Sequence, residues 1–328
     1  MKFNSIYYTV PGRRHLSMGK GNEDFVNVYE SETVLVYAVA DGCSESTCAA
    51  PASEATVAAG IEFAMNGDIW AMKQKAMRDE YLRILDKHYL ACPYPYEDLA
   101  VTTVLLVINK VSDKYLAISI GDCSCIILNR ALEPALLLQP INLLRQKDRT
   151  VFANSSLASR SMRMEMGAMD DVGGFILITD GADALIDQDH IPDLQQLTSL
   201  TVLSPKQAQG ELQTYVGKLS ETTSDDITVA ITMRNDDPEL IKIAGATYDS
   251  ELILEDELDV VSQTEDSILQ LDDTDDNESL LDFLRTPRTA EELVIAGYVN
   301  AEAALLTVLT PYLKDNLIRY ENHQFSAV

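Results

Sequence analysis

Residues 34–40, VLVYAVA, contain no ionisable side chain apart from one tyrosine, and the run stops abruptly at Asp41-Gly42. Seven residues are too few for an ordinary helix and match a buried strand. A buried strand needs partners in a sheet and cover on its faces, which commits the chain to a layered fold. The same shape returns as FILITDGADAL at 175–185 and, with Gly and Asp exchanged, as LAISIGDCSC at 116–125. Three strands ending on acids ask for a common explanation.

The remaining periodicity fills in an α+β fold. Strand-length runs lie at 34–40, 101–109, 115–120, 124–128, 174–179 and 227–233, with clear alternation in YLAISI and TVAITM. Helical spacing is expected over about 51–66, 69–90 and 205–219, with Ser204 as N-cap of the last and Pro205 at its first position. The strands come in pairs and runs, not in regular βαβ alternation. A mainly antiparallel sheet system with helices outside it is therefore favoured.

Charge divides the chain. Asp249 to Glu278 carries thirteen acids and no Lys or Arg, a segment too self-repelling to build its own core. This reading gives a body at 1–240, an acidic linker at 241–278 and a tail at 279–328. In the tail, Ser279–Arg285 is expected as a short helix. Thr289 and Glu292 form a capping box, and Asn300 caps a helix lined by Leu305, Leu309 and Leu313. LIRYENHQFSAV closes as a hairpin around Glu321-Asn322, and the whole fits a winged-helix-like module. Its candidate recognition helix is almost without basic residues, so a protein partner is preferred to DNA.

The net charge of −27 argues against nucleic acid, whose binding depends on Lys and Arg at phosphates. No stretch has the length and apolarity of a membrane span, and the first residues have no signal-peptide pattern, so a cytoplasmic location is expected. Cys123 and Cys125 share one face of an alternating strand and are read as reduced core residues, since no zinc-like spacing accompanies them.

Acids adjoin strands in four places: GNEDF (Glu23, Asp24), VADGC (Asp41), LITDGA (Asp180) and TSDDITV (Asp225, Asp226). If they converge, their mutual repulsion calls for a divalent cation. All-oxygen ligands without a His or Cys cluster suit Mg²⁺ or Mn²⁺. Two such ions about 3.5–4 Å apart can activate water for phosphoryl displacement. Taken singly, each Asp-Gly also reads as a plain turn.

In order along the chain, GKGNEDF, VLVYAVADGCSES, TTVLLVI with LAISIGDCSCIIL, FILITDGADAL and SDDITVAI resemble the metal-dependent protein phosphatases of type 2C, in a bacterial-like variant. The resemblance covers roughly residues 5–234. It implies an αββα sandwich of two antiparallel sheets flanked by helices. It also implies hydrolysis of phosphoserine and phosphothreonine proteins by water activated at a binuclear Mg²⁺/Mn²⁺ centre, and a cognate Ser/Thr kinase as a functional partner. Carried over by position, Asp41 bridges two ions and the Gly42 carbonyl joins the second. Asp180 and Asp225 hold the first ion, Glu23 and Asp24 serve the second, and Asp122 matches an acid for a third. Asp41, Asp180 and Asp225 are thus the implied catalytic core. Where many relatives have a phosphate-gripping Arg this chain has Gly19, which leaves Lys20 and His15 as the candidates for that task. Two rivals stay open: a phosphatase-like binding or scaffold protein, and a DNA-associated regulator acting through the tail.

Overall fold

A computed structural model of the chain describes residues 1–138, 150–186, 191–247, 318–321 and 324–327. The chain divides into two compact units, Met1–Glu255 and Asp256–Val328.

The first unit is a four-layer sandwich. One sheet runs β2 (Phe25–Glu30), β3 (Val34–Gly42), β4 (Val101–Asn109), β5 (Lys114–Ile120) and β8 (Arg163–Ala168) in spatial order. The other runs β1 (Phe3–Val10), β10 (Ile227–Arg234), β9 (Val172–Ile178), β6 (Ser124–Asn129) and β7 (Pro134–Leu138). Every neighbouring pair is antiparallel.

Alternation along β3 explains why an unbroken apolar run suits this place. Leu35, Tyr37 and Val39 point into the layer between the sheets, where they meet Val104, Leu106, Phe175, Leu177 and Ala230. Val36, Ala38 and Ala40 point the other way, toward α2 (Ala49–Met65) and α3 (Gln74–Ala91). Strand β9 does the same in the second sheet: Phe175 and Leu177 face inward. Ile176 and Ile178 face the helices α5 (Ile191–Ser199) and α6 (Pro205–Thr222). Each large side chain withdrawn from water in these layers contributes about 1.5–3 kcal/mol. Cys123 and Cys125 lie in the inter-sheet layer as free, buried thiols.

Antiparallel order places the C-terminal ends of β3, β5 and β9 beside the N-terminal ends of β2, β4, β6 and β10. One rim of the sandwich therefore collects Glu23, Asp24, Asp41, Asp122, Asp180, Asp225 and Asp226. The short helix α1 (Arg13–Ser17) crosses this rim between the sheets, and α4 (Ala158–Ser161) precedes β8.

Several local expectations are corrected. The helix expected over 69–90 is broken: Gly67–Ala71 is a 3-10 turn, Met72 and Lys73 are extended, and α3 starts at Gln74. Ile69 is fully buried and anchors the separate turn. Ser204 does occupy the N-cap of α6, with Pro205 next, but no backbone N–H donates to its hydroxyl, which itself donates to Gln207 Oε1 at 2.5 Å. The first unit continues past residue 240 through α7 (Pro238–Thr247), whose Leu240 and Ala244 pack against Leu132 and Met233.

In the second unit, β11 (Ile318–Glu321) pairs with β12 (Gln324–Ala327) as an antiparallel hairpin. The expected helices around Ser279–Arg285, Thr289 and Asn300 lie outside the described residues. So does the 248–278 part of the acidic linker.

Candidate active site

Asp41 stands at the end of β3, opposite Thr102 of β4. Asp122 follows a tight turn at Gly121, whose φ of +93° is a left-handed conformation that suits glycine. A Cβ there would also run into the Thr102 side chain. Asp180 follows β9. These three strand ends bring carboxylate oxygens of Asp41, Asp122 and Asp180 within 4.8 Å of one another. The structure thus gathers acids that lie 81 and 58 positions apart in the chain. Asp225 is not one of that trio, but it lies near enough to repel Asp24, Asp41 and Asp180.

Asp24 is buried where β2 begins. Its Oδ2 accepts from Thr179 Oγ1 at 2.8 Å and Thr228 Oγ1 at 2.7 Å, both in the opposite sheet system. Glu23 is held at both ends of its peptide unit: its N–H donates to Asp226 Oδ2 at 2.5 Å, and its carbonyl accepts from Ser53 Oγ of α2 at 2.7 Å. Gly42 lies so close to this strip that a Cβ would stand 2.8 Å from the Glu23 carbonyl oxygen.

Electrostatics set the rim apart from the rest of the surface. Burial, then repulsion from Asp24, Asp180, Asp122 and Asp225, pushes the Asp41 carboxyl well above the usual range. Burial raises Asp180 to about 8, with repulsion from Asp122 and Asp225 next. Asp24 rises to about 7, again mainly through burial, although its two threonine bonds pull the other way. No Lys or Arg among the described residues pairs with Asp24, Asp41, Asp122 or Asp180. Asp24 Oδ1, Asp122 Oδ1, Asp180 Oδ1 and Glu23 Oε2 are buried without a hydrogen-bond donor. Leaving a buried acceptor unmade costs about 1–3 kcal/mol, more for a charge. Hard divalent cations would answer such acceptors, so these all-oxygen donors fit Mg²⁺ or Mn²⁺.

The phosphate-binding candidates separate. Lys20 lines an open cleft of about 420 Å³ together with Asn22, Glu23, Ser44, Ser46 and the first turn of α2. Its Nζ donates to Glu23 Oε1 and to the Ser44 carbonyl, both at 3.0 Å. His15 is turned inward and only 1% exposed, with Nδ1 2.7 Å from Asp226 Oδ1 and Nε2 3.1 Å from Ser44 Oγ. Gly19, where relatives were expected to carry Arg, adopts φ +68°, and a Cβ there would meet nothing within 4 Å.

The profile described as Protein phosphatase 2C matches residues 11–217, more than half of the chain. The chain belongs to the protein phosphatase 2C family. The matched region takes in Lys20, Glu23, Asp24, Asp41, Asp122 and Asp180, while Asp225 and Asp226 lie beyond it. No curated protein matches the sequence. Among solved structures, a serine/threonine phosphatase from Mycobacterium tuberculosis is similar with a TM-score of 0.50 at 18% identity, over 71% of this chain and 99% of that one. A Staphylococcus aureus serine/threonine phosphatase gives 0.52 at 11% identity, over 72% and 96%. A C. elegans sex determining protein gives 0.55 at 16% identity, over 74% and 68%. At these identities the likeness is one of fold. The sandwich of this protein phosphatase 2C member agrees with the layered α+β architecture read from its strands.

Sequence reasoning gave no role to four residues that organise the rim: Asp226, Thr179, Thr228 and Ser53. The threonines had a faint signal, being polar at the ends of otherwise apolar strands in LITDG and DDITV. Gly181 is equally tied in, because a Cβ on it would overlap the Asp226 carbonyl oxygen. Gly181→Ala is expected to lower stability by about 1–3 kcal/mol through backbone displacement. Thermal melting beside wild type checks this, and an unchanged Tm would show that the loop yields freely.

Proposed function

We propose that the protein is a Mg²⁺- or Mn²⁺-dependent phosphatase acting on phosphoserine and phosphothreonine in proteins. The observation that carries the reading is the meeting of Asp41, Asp122 and Asp180 within 4.8 Å at a partly buried rim where, among the described residues, no Lys or Arg pairs with any of these three acids. Such a cluster is costly as a structural device and suited to holding divalent cations.

In this reading Asp41, Asp180 and Asp225 would hold one ion. Asp41, Glu23, Asp24 and the Gly42 carbonyl would serve a second, and Asp122 would support a third, weaker position. The chemistry such ions supply when bound is Lewis acidity, which acidifies water and offsets charge on phosphoryl oxygens. The chain's own residues set the geometry. Thr179 and Thr228 orient Asp24 through its Oδ2 and leave Oδ1 without a donor. Ser53 and Asp226 fix the Glu23 backbone. Lys20, on the cleft wall, draws the phosphate as a point charge but lacks the forked contact of an arginine.

That assignment gives a directional test. Lys20→Arg is expected to lower KM for a phosphothreonine peptide at saturating Mn²⁺, and Lys20→Met to raise it by ~10-fold with a smaller change in kcat. Equal KM values in all three proteins would remove Lys20 from phosphate binding. The whole reading is tested by Mn²⁺-dependent release of phosphate from such a peptide. The kinase that supplies the phosphoprotein, and any protein that docks on the tail, belong to the proposal as well.

A further inference from the structure

We propose that His15 and Asp226 are positioning residues: a buried imidazole–carboxylate pair that ties the two sheet systems together beneath Glu23 and holds that acid, with Ser44 on the cleft wall, in place for a cation. The inference rests on the phosphatase reading and goes beyond it, because neither residue contacts the reacting groups.

Asp226 is 2% exposed and accepts three hydrogen bonds: from Gly12 N–H at 2.8 Å, from Glu23 N–H at 2.5 Å and from His15 Nδ1–H at 2.7 Å. A carboxylate offers about four acceptor directions, so Asp226 is almost fully committed to the protein. That separates it from Asp24, Asp122 and Asp180, each of which keeps a bare buried oxygen. Asp226 is therefore an anchor among acids that are built as ligands.

What it anchors is the 11–24 segment, which leaves β1 in one sheet and enters β2 in the other. The backbone of this segment is sewn to the strip before β10 at further points, with Arg13 N–H donating to the Thr223 carbonyl and Arg14 N–H to the Ser224 carbonyl. A Cβ on Gly12 would overlap the Asp225 carbonyl oxygen, so this approach admits only glycine. The imidazole carries the connection onward. With Nδ1–H committed to Asp226, its Nε2 stands 3.1 Å from Ser44 Oγ and 3.2 Å from Glu23 Oε2. Glu23 Oε2 itself has no hydrogen bond. The ring thus lies against the carboxylate while leaving that oxygen without a hydrogen bond. Ser44 is held from the other side as well, since its carbonyl accepts from Lys20. A plain structural staple would need neither the contact with a ligand side chain nor the one with the cleft wall.

The test is calorimetric titration of the full chain with Mn²⁺, in wild type, Glu23→Gln, His15→Gln and Asp226→Asn. Changing a residue that orients a metal ligand typically costs about 10–100-fold in metal affinity. His15→Gln and Asp226→Asn are each expected to weaken by about tenfold or more the same ion that Glu23→Gln weakens, leaving the other ion within about twofold. Native affinities at both ions in the folded variants, or equal weakening of both, would overturn the proposal. The wild type supplies a check that needs no variant to fold. With four histidines in the chain, the buried Nδ1–H proton of His15 is a distinct low-field NMR signal. It should move on Mg²⁺ addition, and an unmoved signal in metal-loaded protein would also overturn the proposal. A wild type that takes up no divalent ion would instead sink the phosphatase reading, a different and recognisable failure.

Discussion

Asp41→Asn is expected to lower phosphate release from a phosphothreonine peptide by ~10³-fold or more while leaving the fold intact. Asp41 belongs to the acidic trio within 4.8 Å, and its one hydrogen-bond donor among the described residues is a long contact of 3.5 Å from Thr102 Oγ1. Asparagine keeps the shape but loses the charge that, in the proposed function, Asp41 would bring to the cations. It also removes a half-buried acid that Asp24, Asp180, Asp122 and Asp225 all repel. The variant's Tm in EDTA at pH 8 should therefore match or exceed that of wild type. Loss of activity joined to equal or greater stability is the signature. Activity within tenfold of wild type, or a collapse of stability, would contradict the role given to Asp41.

Metal and proton should compete for this rim, and the effect should be large. Asp24 at about 7, Asp180 at about 8 and Asp41 well above its ordinary value all titrate above an unfolded carboxyl near 3.8. The folded chain therefore holds protons that the unfolded chain has released. The stability associated with these acids is complete below about pH 4 and is lost as pH rises through about 7 to 8. The Asp24 and Asp180 shifts alone amount, on the order of magnitude, to several kcal/mol, so Tm in EDTA should fall by ~10 °C or more between pH 5.5 and 8.5. Glu62 and Glu80, lowered by Lys87 and Arg83, act in the opposite direction, but surface pairs of this kind are worth little. Saturating Mg²⁺ should restore the Tm at high pH. Mn²⁺ binding should release about two protons at pH 6.5 from Asp24 and Asp180, and fewer at pH 9.5. Calorimetry in buffers of different ionisation enthalpy measures that number. No release at pH 6.5 would mean that the acids are not where the ion goes.

The parts of the fold legible in the sequence are those whose environment is uniform. Strands β3, β4, β5, β6, β9 and β10 are covered on both faces, so apolar runs announce them. The strands at or near the sheet margins were not foreseen. FNSIYYTV of β1 mixes polar and aromatic residues because it lies at an edge, and PALLL of β7 and RMEMGA of β8 are short edge strands that keep exposed positions. The break before α3 had no local cue. It depends on Ile69 reaching the core and on Met72 and Lys73 turning extended.

The site divides in the same way. Asp41, Asp122 and Asp180 were readable because a strand ending on an acid is a local pattern. Asp226 could be named as an acid beside a strand, but its work was invisible. Its partners lie 203 to 214 positions away, and two of its three bonds come from backbone N–H groups that carry no sequence signature. Lys20 illustrates the intermediate case. Its charge near the acids was plain, while its bonds to Glu23 and the Ser44 carbonyl appear only in three dimensions.

The most direct measurement of the central claim is phosphate release from a phosphothreonine peptide by the full-length protein, with Mn²⁺ and with excess EDTA. The account predicts turnover with Mn²⁺ that EDTA abolishes and that fresh Mn²⁺ restores. Release that persists in EDTA, or none despite Mn²⁺ bound at the rim, would contradict it, and the second result would mark the chain as a metal-binding member without phosphatase turnover.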